Sequence, residues 1–201
     1  RDLHSFPTRR SSDLAGVRDI VSFVEIGDHT IVREFVTIHR SGNQNKKTIV
    51  GKNCLIMAYA HIAHDCVIGN DVVLVNATSL SGHIIVEDRA FISGMIGAHQ
   101  FVRFGKLSMT GGMSRIVKDI LPYSTVEGNP ARLIGANAIG LKRAGIVPRV
   151  RSGIKNAINF IMHEELNTTQ AIKKIKEEIE MSDEINYLVN FVNQSNRGII
   201  R

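Results

Sequence analysis

Residues 50–91 read VGKNCL-IMAYAH-IAHDCV-IGNDVV-LVNATS-LSGHII-VEDRAF, seven hexapeptides that each open on Val, Ile or Leu. In the same frame from Ile26 to Ile116, twelve of sixteen opening positions are Ile, Val or Leu. Four residues after the opening position stands a small or β-branched residue, as in Cys54, Ala60, Cys66, Val72, Thr78 and Ala90. A period of six fits neither a helix, which repeats at about 3.6, nor a single strand, which repeats at about 2. It fits a coil in which every six residues make one short strand and one corner. The aliphatic residue points inward, the small one lets the chain turn, and three strands close a triangle. Successive coils then stack at about 4.8 Å, each aliphatic residue resting on its equivalent roughly eighteen positions away. The pattern predicts a parallel β-helix of hexapeptide repeats.

Gln44 interrupts the frame inside SGNQNKK (41–47), a polar run expected to bulge outward as a loop. The frame stops near Ile116, and Leu121-Pro122 and Gly128-Asn129-Pro130 predict a turn-rich exit. Beyond Asn137 the period becomes helical. Val150, Ile154, Ile158, Ile161 and Met162 share one face; Thr168 or Thr169 is expected to cap a helix carrying Ile172, Ile175 and Ile179. Ser182 opens a third helix with Ile185, Leu188, Val189 and Val192. The expected organisation is a solenoid over residues 15–136 and a helical domain over residues 137–201, too small to stand alone and packed on the solenoid or a neighbouring chain. Residues 1–14, RDLHSFPTRRSSDL, share no periodicity with the rest and resemble translated vector sequence, so they are set aside as a non-native segment.

Composition narrows the function classes. The chain has 201 residues, 43% hydrophobic and 22% charged, an ordinary folded balance. No stretch approaches the roughly 20 apolar residues of a membrane-spanning helix, so no integral membrane segment is expected. Two cysteines, Cys54 and Cys66, are too few for a disulfide scaffold or a cysteine-based zinc site, which points to the cytoplasm. Residues 15–136 hold 12 basic and 10 acidic side chains, whereas six basic residues and no acidic one lie between Glu127 and Glu164. That block (Arg132, Lys142, Arg143, Arg149, Arg151, Lys155) suits an anionic partner or a solvated helix face, and charge alone does not choose.

The chemistry-bearing residues are histidines. Four of eight, His61, His64, His83 and His99, fall within one solenoid stretch. In HIAHD (61–65), Ile62 points inward, so His61 points outward and His64 and Asp65 fall near a corner. A carboxylate beside an imidazole orients it and stabilises its protonated form, which suits His64 to general-base work. No Ser or Cys sits in a nucleophile motif, so attack by a base-activated substrate hydroxyl is favoured over a covalent enzyme intermediate. Zinc held by several of these histidines is the serious rival.

AHIAHDCVIGN (60–70), LSGHIIVED (80–88), SGMIGAHQF (93–101), VEGNPARLIGAN (126–137), GLKRAGI (140–146) and SNRGIIR (195–201) together resemble the UDP-N-acetylglucosamine O-acyltransferases, the family of the first step of lipid A synthesis. The resemblance implies a left-handed β-helix working as a homotrimer, with sites between subunits and no metal or cofactor. It implies transfer of a 3-hydroxyacyl chain from acyl carrier protein to the 3-hydroxyl of UDP-N-acetylglucosamine, with no nucleic-acid partner. His64 would be the base, supported by Asp65, and the Gly94 backbone N–H would stabilise the oxyanion. His61, His83, His99 and Gln100 would line the sugar and pantetheine cleft. Asn137 and Arg143 would meet the nucleotide, Arg143 through phosphate. Gly112, with no side chain, would leave open the groove for the acyl tail. The basic block would receive the acidic carrier protein.

The chain departs from that family where acidic and second arginine residues are usual, having Ile139 and Ala144, and the family's N-terminal coils precede the region of likeness. Two other readings stand beside the transferase: a γ-type zinc carbonic anhydrase, which uses the same solenoid, and a catalytically inactive trimeric hexapeptide module.

Overall fold

A computed structural model describes residues 20–163 and 165–201; the expectation for residues 1–14 lies outside them. The solenoid has three faces. The first stacks Phe23–Ile26, Lys47–Val50, Val67–Ile68, Ile85–Val86 and Arg103–Phe104. The second runs from Ile31–Val32 through Leu55–Ile56, Val73–Leu74, Phe91–Ile92 and Met109–Thr110 to Ser124–Gly128 and Ala131–Ala136. The third holds Thr37–Ile38, His61–Ile62, Ser79–Leu80, Gly97–Ala98 and Arg115–Ile116. Neighbouring coils pair in parallel with opening residues in register, as Val50↔Ile68, Ile68↔Val86 and Val86↔Phe104. Ile56, Ile62, Leu74, Leu80 and Ile92 are fully buried, so the six-residue beat is the core.

Across SGNQNKK the register changes: Ile38 pairs with Ile62, a step of 24 rather than 18. The polar run is an insertion of one hexapeptide's length, and it leaves the coil as expected.

The corners hold a feature that composition hid. In the uninterrupted coils from Val50 to Thr110 the third residue after each opening position takes the left-handed backbone conformation, and none of these is glycine; φ is 61° at Asp65, 61° at His83 and 66° at Phe101. That conformation costs a side-chain-bearing residue about 1–2 kcal/mol, so stacking between coils must hold it.

Beyond Ile116 the solenoid continues one step further than the sequence suggests. Ile120 bridges to Phe104, and Ser124–Gly128 pairs in parallel with Met109–Thr110 before returning as the antiparallel strand Ala131–Ala136. The turn-rich exit is therefore a hairpin that closes the second face. Among the described residues four helices follow: α1 (Ala138–Arg143), α2 (Pro148–Met162), α3 (Thr168–Glu178) and α4 (Asp183–Asn193). Ile154, Ile158 and Ile161 of α2, Ile175 of α3 and Leu188 of α4 are fully buried. Asn167, not Thr168 or Thr169, caps α3; it forms a capping box with Gln170. Ser182 caps α4 as expected. α2 packs on Ala131–Ala136 at the end of the second face, and α4 lies over the first face, where Tyr187 donates to Glu87 at 2.6 Å and the Arg103 guanidinium lies 4.3 Å over the Phe191 ring.

Candidate active site

HIAHD takes the corner where the third face turns into the first. Ile62 is buried and His61 faces outward. His64 then leaves the strand and Asp65 takes the left-handed turn. His64 Nδ1 lies 2.8 Å from Asp65 Oδ2, and His83 Nε2 lies 3.9 Å from the same oxygen. His83 sits one coil above Asp65; its ring meets His64 edge-on at 5.1 Å and stacks on Phe101 at 4.7 Å. The side chains of His64, Asp65 and His83 are 22%, 10% and 36% exposed, so the carboxylate is largely shielded while both rings remain reachable.

Asp65 is held firmly. Ser41 donates to Oδ1, Asn43 Nδ2 to Oδ1 at 3.1 Å, and the Gly42 backbone N–H to Oδ2 at 3.1 Å. Burial works to raise the carboxyl's pKa, but donation from Ser41, His64, Asn43 and Gly42 overcomes it and lowers the value to about 2. Asp65 is therefore an anion at neutral pH. With Asp65 accepting at Nδ1, the His64 tautomer carries its proton there and presents Nε2 as a base.

His61 and His99 face outward on the third face. His61 Nδ1 is 2.7 Å from Thr37 Oγ1, and its ring meets His39 edge-on at 4.7 Å. Beside His99 lies a shallow groove of about 200 Å³ that also takes in Ser79, Ser81, Gly97 and Arg115. A larger groove, of about 540 Å³, lies elsewhere, on the first face under α4.

Not all the expected residues meet in one chain. Gln100 shares the corner of His64. Gly94 and Gly112 share the corner between the second and third faces, where Met113 N donates to Gly94 O at 3.0 Å. Gly94 therefore does not stand beside His64. Gly82 does: a β-carbon there would come 2.7 Å from the His64 ring. The Gly82 N–H makes no hydrogen bond among the described residues. Asn137 caps α1 through Oδ1 and donates from Nδ2 to Leu107 O at 2.9 Å, on the corner between the first and second faces. Its amide is committed to structure; Arg143, in the last turn of α1, is exposed. Ser41 and Asn43 were not foreseen, because nothing in a six-residue period links an insertion to a residue 24 or 22 positions on.

Nearby thiols have no nucleophilic role. Burial pushes Cys66 up to about 11 and raises Cys54 as well, so both are neutral thiols in the core. The one His, Cys, Asp and Glu cluster among the described residues with spacing that could accept a cation is His64, Asp65 and His83, their ligand atoms within 4.8 Å of one another.

Comparison with known proteins gives one consistent result. A family profile described as UDP N-acetylglucosamine O-acyltransferase, domain 2, matches residues 119–200, and the bacterial transferase hexapeptide profile matches residues 47–82. An acyl-[acyl-carrier-protein]–UDP-N-acetylglucosamine O-acyltransferase of Gloeothece citriformis is 46% identical over 178 residues, 89% of this chain and 64% of that protein. One from Pseudomonas syringae pv. tomato is 41% identical over 88% of this chain and 69% of its own length. The crystal structure of a UDP-N-acetylglucosamine acyltransferase from Bacteroides fragilis superposes with a TM-score of 0.88 at 42% identity, covering 92% of this chain and 72% of that one. The chain thus spans a little under two thirds of the length of the Gloeothece protein.

Proposed function

The chain belongs to the acyl-[acyl-carrier-protein]–UDP-N-acetylglucosamine O-acyltransferase family, and from that premise we propose that it transfers a 3-hydroxyacyl group from acyl carrier protein to the 3-hydroxyl of UDP-N-acetylglucosamine. The observation that carries this reading is the His64–Asp65 pair at 2.8 Å, set on an open corner with the base nitrogen free of the carboxylate.

In the proposed reaction, His64 Nε2 takes the proton of the sugar 3-hydroxyl as its oxygen attacks the thioester carbonyl. The new C–O bond forms, the carbonyl oxygen becomes an oxyanion, and the carbon–sulfur bond then breaks. The departing thiolate receives the proton from the imidazolium, which Asp65 stabilises until then. We assign the oxyanion to the Gly82 N–H rather than to Gly94, since Gly82 adjoins His64 within the chain. Asn137 holds α1, and Arg143 is left to meet phosphate. His61, His83, His99 and Gln100 border the space where the sugar and pantetheine would lie.

The expected residues occupy three corners and one face, so a site that used them all would be shared between copies. The second face supplies a surface for that: Ile31, Phe91 and the corner residues Phe35, Tyr59, Met95 and Met113 are exposed apolar groups. This supports a homotrimer with clefts between subunits. Arg132, Lys142, Arg143 and Lys155 are exposed and suit the acidic carrier protein, while Arg149 is paired with Glu180. No helix of the described residues is long and apolar enough to cross a membrane, and we place the reaction in the cytoplasm.

The test is acyl transfer by the full-length protein, given 3-hydroxyacyl carrier protein and UDP-N-acetylglucosamine. A 3-O-acylated sugar nucleotide is the expected product. Stoichiometric zinc with carbon dioxide hydration and no acyl transfer would overturn the reading.

A further inference from the structure

The insertion that breaks the solenoid's beat ends against the catalytic corner. Residues 41–46 leave the coil, and the chain near the start of the described segment pins them. Val21 N donates to Gln44 Oε1 at 2.9 Å, Asn45 N to Val21 O at 2.8 Å, and Ser22 Oγ to Ser41 O at 2.6 Å. Arg40 adds a bond to Ile20 O at 2.6 Å. The pinned loop then turns three donors onto one carboxylate: the Ser41 hydroxyl and Asn43 amide on Oδ1, and the Gly42 N–H on Oδ2. Ser41 is buried, and its hydroxyl also accepts from Asn43 N at 3.0 Å, which leaves its proton for Asp65.

We propose that Ser41, Gly42 and Asn43 are positioning residues for acyl transfer: they fix the plane of the Asp65 carboxylate, and through it the tautomer and orientation of the His64 imidazole. The inference rests on the acyltransferase reading above. An aspartate side chain has two rotatable bonds, and Asp65 sits on a strained corner with only Thr48 Oγ1 receiving its backbone N–H. Without the loop, water would replace these three donors, and the carboxylate would turn away from His64 part of the time. His83, 3.9 Å from Oδ2, is the other ionisable group facing it and would compete for that oxygen. With the loop, both oxygens are occupied on the side away from His64, and the remaining direction of Oδ2 is toward Nδ1. The insertion, which the solenoid does not need for its own register, thus has a task in the site.

The test has two readouts on the full-length protein. The first is kinetic. Ser41→Ala should lower kcat about ten-fold or more, the share of one bond to a charged group, with KM little changed. Asn43 is exposed, so Asn43→Ala tests the loop without risk to the core and should show a smaller loss of the same kind. In an Asp65→Ala background neither substitution should cost anything further, because both act through Asp65. The second readout is the His64 Nδ1–H proton by NMR, expected to be protected from exchange in the parent protein and lost in Ser41→Ala. A loop that serves folding alone would lower thermal stability, leave that proton in place, and add its cost to that of Asp65→Ala; any of the last two results overturns the proposal. If the proton behaves as expected but the parent protein transfers no acyl group, the positioning geometry stands and the acyltransferase reading is the part that fails.

Discussion

The imidazole of His64 fills the space that a β-carbon on Gly82 would need, its Cε1 and Nε2 each 2.7 Å from that position. Gly82 stands one coil above His64, and its φ lies outside the left-handed region, so an alanine is barred by the ring and not by the backbone. Gly82→Ala should therefore leave the solenoid folded while pushing the imidazole out of line with Asp65. A displacement of about 1 Å at a reacting group costs on the order of 10²-fold in rate. Steady-state kinetics with circular dichroism would check this; full activity in Gly82→Ala would show that His64 has room to adapt.

His64→Ala removes the proposed base and should lower turnover by about 10²–10⁴, with the same melting temperature as the parent. The comparison with Gly82→Ala separates displacement from deletion. Wild-type turnover in His64→Ala removes this histidine from the mechanism.

Much of this was legible in the sequence, and the failures have a common physical cause. The beat was readable because every opening residue from Val50 to Ile116 is buried in the core, so departures such as Phe104 and Thr110 leave the frame visible. HIAHD was readable because the imidazole of His64 and the carboxylate of Asp65 are neighbours in the chain. Contacts between coils demand a further step: residues share a corner when their separation falls within a residue or two of a multiple of 18 in the uninterrupted coils, as that of Gly82 and His64 does and that of Gly94 and His64 does not. That arithmetic puts Gly82, and not Gly94, beside His64 within the chain. The Ser41–Asp65 contact was not available, since an insertion has no period to place it. The α3 cap lies one or two residues before the expected Thr168 or Thr169 although Asn167-x-x-Gln170 carries the capping-box spacing; a run of three capping-competent residues hides it.

Asp65 gives the molecule an acid limb. Its pKa falls from 3.8 to about 2 on folding, so the unfolded chain binds the proton more tightly. A depressed carboxylate contributes stability that is fully present above about pH 4 and is lost as pH falls toward about 2. The shift corresponds to about 2 kcal/mol before solvent screening, which reduces it. Urea unfolding between pH 2 and pH 5 should show this loss in the parent protein and a flatter profile in Asp65→Asn. Equal slopes would mean that the loop donors do not hold the charge.

Thr110 is a weak point in the core. It occupies an opening position on the second face between Ile92 and Val126, is fully buried, and its hydroxyl has no hydrogen-bond partner among the described residues. Thr110→Val keeps the shape and removes the unmet hydroxyl. The substitution should stabilise the protein by about 1 kcal/mol, read as a higher denaturant midpoint at unchanged slope. A lower midpoint would indicate that the hydroxyl is satisfied by a group outside the chain.

The last prediction concerns the acyl chain. Gly112 sits one coil beyond Gly94 on the corner between the second and third faces, and a β-carbon there would meet only Gly94 O, at an ordinary 3.5 Å. Its φ is not left-handed, so a side chain is tolerated and would extend away from the solenoid beside Met95 and Met113, both exposed. If the donor's tail passes along this corner, the open position admits its last carbons. Each buried methylene is worth about 0.8 kcal/mol, or several-fold in preference. The parent protein should therefore prefer 3-hydroxyacyl donors of around 12–14 carbons, the range the family resemblance suggests, and Gly112→Met should shift the preference toward about 10, the side chain taking the room of several methylenes. Competition between donors in one reaction measures this directly, and the space around Gly112 makes misfolding a poor explanation for a shift. An unchanged preference in Gly112→Met would place the tail's end at another residue and leave Gly112 as a corner with room to spare.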